Sequence, residues 1–217
     1  MSLNIHHFRG IDDWKMAIFE KLDKFSNGSN IIIPGGETPN FLYEEYFLRK
    51  NFRKFILSDE RITSDKNRSN YLKISNTIKT FVFQLCDFPI NGYKEININQ
   101  ISRMLLELQH PNIALLGIGS DGHYASIFKS MEIIKTDKAN NLKIISTDIE
   151  GIPEYRITLS ENYIKKTKEI MFIAKGKNKY ELIKKIESKS AEVADLPISD
   201  LISSYNGNLN IMYCIND

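Results

Sequence analysis

The residues with the most chemistry to offer are Asp121 and His123, set in the run Gly117-Ile118-Gly119-Ser120-Asp121-Gly122-His123. A carboxylate two positions from an imidazole, inside a glycine-rich turn, can support that imidazole as a general acid or base. The apolar run ahead of it, Asn112 to Leu116, reads as a strand buried on both faces of a parallel sheet. Tyr124 to Phe128 behind it reads as the start of a helix. The pair is therefore expected where a strand hands over to a helix, the edge at which open α/β sheets bind ligands. Gly117, Gly119 and Gly122 also match the dinucleotide fingerprint G-x-G-x-x-G. That reading is rejected, because the match lies past mid-chain and neither Asp137 nor Asp148 makes a convincing acidic partner about 20 residues on.

Two further stretches carry complementary chemistry. Asn30 to Ile33 is a short strand ending in Pro34-Gly35-Gly36-Glu37-Thr38-Pro39. Its glycines expose backbone N–H groups, Thr38 can cap and Pro39 suits a first helical turn, so the loop can cradle an anion. The second stretch, Ser58-Asp59-Glu60-Arg61, is expected as a loop after a strand over Phe52 to Leu57, with Asp59 and Arg61 facing one crevice. Arg156 opens an apolar strand, and Gly176-Lys177-Asn178-Lys179 opens a long amphipathic helix through Leu182, Ile183 and Ile186. Lysines at a helix start oppose its dipole unless an anion sits there. Parallel strands would bring the Gly35, Asp59 and His123 loops to one edge, as a phosphorylated small metabolite undergoing acid or base chemistry requires. His110 at the far end of its strand is read as structural, and His6-His7 as surface.

These side chains need a scaffold. Helices are expected over Ile11 to Phe25, through Phe41, Leu42, Tyr46 and Phe47, from Ser69-Asn70-Tyr71 to about Lys79, over Ile98 to Gln109 and over Glu161 to Lys166. Further strands are expected over Leu142 to Ser146, from Arg156 after a turn at Gly151-Ile152-Pro153, over Glu169 to Ala174 and over Leu209 to Ile215. Thr80 to Asn97 is uninformative, Ile133 to Asn141 reads as a polar connection, and Met1-Ser2-Leu3 is given no weight. The alternation predicts a three-layer α/β/α fold with a mostly parallel, Rossmann-like central sheet, forming one domain over residues 1–217. Lys and Arg number 29 against 27 Asp and Glu, so no basic stripe argues for nucleic acid. No apolar run approaches the roughly 20 residues of a membrane span. Cys86 and Cys214 lie far apart and no signal-peptide pattern opens the chain, which suggests a cytoplasmic protein with reduced thiols. One His with few partners is too little for a zinc site, so no metal is expected.

Taken together, Gly-Gly-x-Thr-Pro, Asp-Glu-Arg with a later Ser-Asn-Tyr, Leu-Gly-x-Gly-x-Asp-Gly-His-x-Ala-Ser-x-Phe, Arg-Ile-Thr-Leu, Gly-x-x-Lys and Leu-Pro-x-Ser resemble the 6-phosphogluconolactonase family. That family belongs to a wider group with glucosamine-6-phosphate deaminase, and the resemblance runs in order from about Ile31 to Ser199. It implies hydrolysis of 6-phospho-D-glucono-1,5-lactone with no cofactor by a monomer or small homo-oligomer. His123 would activate water, with Asp121 supporting it and Asp59 among the catalytic candidates. Phosphate would be held by Gly35, Gly36, Thr38 and some of Arg61, Arg156 and Lys179. Two positions depart from the pattern: Glu37 stands where the family usually has Ser, and Lys129-Ser130 replaces a Pro after Phe128. The rival readings are a deaminase or isomerase, whose motif places a Glu where this chain has Phe128, and a sugar-phosphate sensor without turnover.

Overall fold

The computed structural model describes residues 2–78, 81–90, 92–149 and 152–216. Seven strands form one all-parallel sheet: β1 (Ser2–Phe8), β2 (Asn30–Ile33), β3 (Lys54–Leu57), β5 (Val82–Phe83), β6 (Ile113–Gly117), β10 (Glu169–Lys175) and β11 (Asn208–Cys214), in the order β1-β11-β10-β6-β2-β3-β5. The inner strands read as apolar runs because both faces are covered: every residue of β2 is buried, and only Gly117 of β6 is partly open. Flanking helices are α1 (Ile11–Asp23), α2 (Asn70–Ser75), α3 (Ile98–Leu106), α4 (Glu161–Ile164), α5 (Tyr180–Glu187) and α6 (Pro197–Ser204). In α1, Trp14, Ile18 and Leu22 recur at helical spacing and are buried, and the Trp14 indole donates to the Met212 carbonyl at 2.9 Å. The expected fold class is the one observed.

From β2 the chain runs outward through β3 to β5, then returns to lay β6 on the other side of β2. The strand order therefore reverses between β2 and β6, and the loops leaving these two strands diverge there to leave a crevice.

A second sheet corrects several expectations. It is antiparallel, in the order β4-β9-β8-β7, built from β4 (Asp59–Arg61), β7 (Glu132–Thr136), β8 (Leu142–Ile149) and β9 (Ile152–Leu159). Asp59-Glu60-Arg61 is thus a strand; its charges conceal it from a hydrophobicity reading. One residue joins it to the main sheet: Ser58 donates its N–H to Ile33 and accepts from the Leu159 N–H, each at 2.8 Å. The supposed polar connection over Ile133 to Asn141 contains β7, an edge strand whose exposed Glu132 and Lys135 show no apolar alternation. Arg156 lies inside β9 rather than at its start, and β1 pairs in parallel with β11 although the opening residues promised nothing. The helix after Gly176 begins as a 3-10 turn over Lys177–Lys179, and the Phe41 to Phe47 helix is a π turn over Leu42–Tyr46 followed by a 3-10 turn. Lys79, Thr80 and Gly151, named in the expected boundaries, lie outside the described residues. Cys86 and Cys214 are free and buried. Among the described residues no helix is long and apolar enough to cross a membrane.

Glu60 shows how the charged strand is anchored. Its carboxylate is buried and accepts from the N–H groups of Arg61, Asn70 and Tyr71 at 2.7, 2.8 and 2.6 Å and from the Ser69 hydroxyl at 3.1 Å. Burial raises its pKa, against the opposing pull of those backbone donors. The clamp ties β4 to the first turn of α2 and so fixes Arg61 and Asn70. Glu60→Ala leaves several donors without an acceptor and is expected to lower the unfolding free energy by about 2–4 kcal/mol, read from a denaturant titration.

Candidate active site

The crevice at the strand-order reversal is a cleft of about 220 Å³ lined by Pro34 to Pro39, Asp59, Arg61, Asn70, Gly117 to Gly119, His123, Ala125, Arg156 and Lys179. Every expected site residue except Asp121 lines this one cleft, and Asp121 touches His123 directly. Glu60, between Asp59 and Arg61, points away, as strand alternation requires.

His123 is held by Asp121, whose Oδ1 lies 2.6 Å from His123 Nδ1 and 3.3 Å from its backbone N. A carboxylate can only accept, so Nδ1 carries the proton and Nε2 is left as the basic atom of the neutral ring. Burial pushes the Asp121 carboxyl up, but the hydrogen bond and charge of His123 outweigh it and hold the group below the usual carboxylate value. The turn closes with the Gly119 N–H on the His123 carbonyl at 2.8 Å and the Gly122 N–H on the Gly119 carbonyl at 3.1 Å. Gly122 sits at φ 79°, the left-handed region that favours glycine. At Gly119 the requirement is space: a Cβ there would lie 2.1 Å from His123 Nδ1 and 2.4 Å from Asp121 Oδ1.

Tyr124 to Phe128 does not form the expected helix. Ala125 takes φ 49° and the Ile127 N–H returns to the Tyr124 carbonyl at 2.9 Å. Tertiary contacts override local preference: the Ser126 hydroxyl donates to Asp59 Oδ2 at 2.7 Å, and its N–H to Thr158 Oγ1 at 3.3 Å. The other Asp59 oxygen accepts from the Ser58 hydroxyl at 2.7 Å. Asp59 is therefore a buried tether between β4 and the His123 turn, and its carboxylate also borders the cleft.

Three cations face the same space. Arg61 and Arg156 are directly opposite each other in the β4–β9 ladder. Arg61 Nη1 donates to the Arg68 carbonyl and to Asn70 Oδ1, each at 2.9 Å, while its buried Nε has no hydrogen-bond partner. Arg156 pairs through Nε with Glu154 at 2.5 Å, and Glu154 also meets Arg68. Burial lowers the Arg156 pKa to about 10; Asp59 opposes this, and Arg61 and Arg68 add to it. Lys179 is half-buried, and its pKa is lowered by burial and raised by Asp121. Among the described residues it has no ion pair, which leaves its ammonium available to an anion. Gly36 stands at φ 88°, and a Cβ on Gly35 would meet the Asn70 amide at 2.2 Å. Asn70, Ser126, Glu154 and Arg68 were not named as site residues in the sequence; Asn70 and Ser126 stood inside the Ser-Asn-Tyr and Ala-Ser-x-Phe motifs, and Glu154 lies two positions from Arg156 on one strand. Gly119→Ala is expected to open the Asp121–His123 contact beyond about 3.5 Å, visible in a crystal structure of the variant.

A family model described as "Glucosamine-6-phosphate isomerases/6-phosphogluconolactonase" matches residues 12–209. Among curated relatives, a 6-phosphogluconolactonase of Helicobacter pylori is 24% identical over 234 residues, covering 100% of both chains. A 6-phosphogluconolactonase structure from Shewanella baltica superposes with a TM-score of 0.82 at 18% identity, covering 98% of each chain. A monomeric glucosamine-6-phosphate deaminase superposes with a TM-score of 0.72 at 16% identity, covering 96% of each chain, so the fold is common to both activities. The family model spans nearly the whole chain and the cleft gathers the motifs of that family, so this protein belongs to the glucosamine-6-phosphate isomerase/6-phosphogluconolactonase family.

Proposed function

We propose that the protein hydrolyses 6-phospho-D-glucono-1,5-lactone to 6-phosphogluconate in the pentose phosphate pathway, acting as a single lactonase domain with His123 as the general base. The observation that carries this reading is one cleft holding the Asp121-supported His123 opposite two guanidinium groups and a free lysine. A phosphorylated substrate answers the cations. A lactone answers the base, because an activated ester needs a deprotonated water more than a metal. Support against the deaminase comes from Phe128: it occupies the motif position where that enzyme carries a Glu, and a phenyl ring cannot transfer a proton. A cytoplasmic site of action and a monomer or small homo-oligomer belong to the same proposal.

In the mechanism, water attacks the lactone carbonyl carbon while His123 Nε2 takes its proton. Asp121 keeps Nδ1 protonated and offsets the imidazolium charge that develops. Arg61, which lines the cleft with a buried Nε free of hydrogen-bond partners, is the donor available to the tetrahedral oxyanion. Collapse breaks the bond from carbonyl carbon to ring oxygen; His123 returns the proton to that oxygen as it leaves as a hydroxyl. The phosphate is gripped by Lys179 and Arg156, with Thr38 and the Gly35–Gly36 backbone lining its cradle. Glu37 is exposed beside that cradle and is placed to disfavour a more highly charged ligand.

The test is hydrolysis of freshly generated lactone, coupled to NADP reduction by the next dehydrogenase, with spontaneous hydrolysis subtracted. His123→Ala is expected to lower kcat by about 10²- to 10⁴-fold with binding retained; an unchanged rate removes His123 from the mechanism. Lys179→Met is expected to raise KM about 10- to 100-fold, the value of one charge-assisted hydrogen bond, with kcat little altered. Binding of phosphosugar without turnover by the wild type would favour the sensor instead.

A further inference from the structure

Phe128 is half-buried at the end of the His123 turn, where it touches both halves of the cleft. Its ring centroid lies 4.4 Å from that of His123 at an interplanar angle of 32°. The Arg156 guanidinium carbon lies 5.3 Å from the same ring, over its face. One phenyl group therefore contacts the imidazole and a cation of the phosphate side. No other aromatic ring is in ring contact with His123 among the described residues.

Resting on the lactonase reading, we propose that Phe128 is a positioning residue for His123, holding the plane of the imidazole through a ring that also packs against Arg156. The Asp121 hydrogen bond fixes His123 at Nδ1 only, and one hydrogen bond leaves the ring free to rock about that contact. A flat ring packed at 32° removes that freedom without competing for Nε2, because a phenyl group has neither donor nor acceptor. It also covers part of the imidazole from bulk water. Arg156 is itself ion-paired with Glu154 and donates from Nη1 to the Ser126 hydroxyl at 3.4 Å, so the ring packs against a held group rather than a mobile chain. The contacts run Asp121, His123, Phe128, Arg156, Glu154. Through them the phosphate-side cation and the base are held in one register.

The test is kinetic, in the lactone assay, with five proteins: wild type, Phe128→Leu, Phe128→Tyr, His123→Ala and the Phe128→Leu, His123→Ala double variant. Phe128→Leu is expected to lower kcat about tenfold while KM changes less than about twofold, the signature of a misaimed base rather than a lost substrate contact. Phe128→Tyr, which keeps the ring, is expected to retain the wild-type kcat. In the His123→Ala background Phe128→Leu is expected to cost nothing further, because there is no imidazole to aim. Equal losses in both backgrounds, an unchanged kcat, or a rise confined to KM would each overturn the proposal. If circular dichroism shows Phe128→Leu unfolded, Phe128→Met, whose unbranched chain adapts to irregular space, takes its place with the same expectations. Failure of the wild type to accelerate hydrolysis would sink the lactonase reading; acceleration with a silent Phe128→Leu would sink this inference alone.

Discussion

Two guanidinium groups set directly across from each other on adjacent strands repel, and much of the cleft is organised to keep Arg61 and Arg156 there. Arg156 is buried and would be costly as an isolated charge. Glu154 pairs with it, while Ser126 and the ring of Phe128 flank it. Arg61 is held by Asn70 and the Arg68 carbonyl, and Asn70 is in turn fixed by Glu60 and Asp59. Glu154 also meets Arg68, so the polar loop between β4 and α2 is fastened at the same point. A protein selecting for stability alone would not place like charges in register. Their presence is an electrostatic signal for an anion, strengthened by Lys179, which lines the same cleft and has no ion pair among the described residues.

The second constraint is steric and concerns a few ångströms of backbone. The His123 turn folds so tightly over Gly119 that no side chain fits there, and the Asp121–His123 pair exists only because of that vacancy. The Gly35 loop obeys the same rule against Asn70. In both places a glycine lets the backbone of one element press against a functional side chain. That is why the anion cradle and the base come within reach of one small substrate. Asp59 connects these halves: it anchors Ser126 behind the base and leads, two residues on, to Arg61.

Shared architecture does not choose between the chemistries of this family. The fold is common to a structure of a deaminase and to one of a lactonase. What differs is the chemical capacity of individual side chains lining the crevice. A phenyl ring at position 128 suits a reaction needing one well-aimed base and no second acid at that point. A deaminase, which must open an amino-sugar ring before isomerising it, asks for another proton carrier there.

The sequence by itself determined the parallel core and the chemical cast. Inner strands buried on both faces must be continuous apolar runs, so Ile31 to Ile33, Ile113 to Leu116 and Ile170 to Ala174 declare themselves. The motifs also singled out His123, Asp121, Arg61, Arg156 and Lys179, and all border the cleft or touch a residue that does, although Arg156 lies inside β9 and not at the strand start its position suggested. The tertiary structure decided what local pattern could not. Asp59 to Arg61 is a strand because Glu60 finds its partners on α2, not because its residues favour extension. Tyr124 to Phe128 is a turn because Ser126 is captured by Asp59, 67 positions away in the chain. Polar side chains take their structure from distant partners, and spacing along the chain does not encode those partners. Apolar periodicity encodes burial directly, which is why the core, β8 and the apolar half of β9 were legible, and the charged strands β4 and β7 that complete the antiparallel sheet were not.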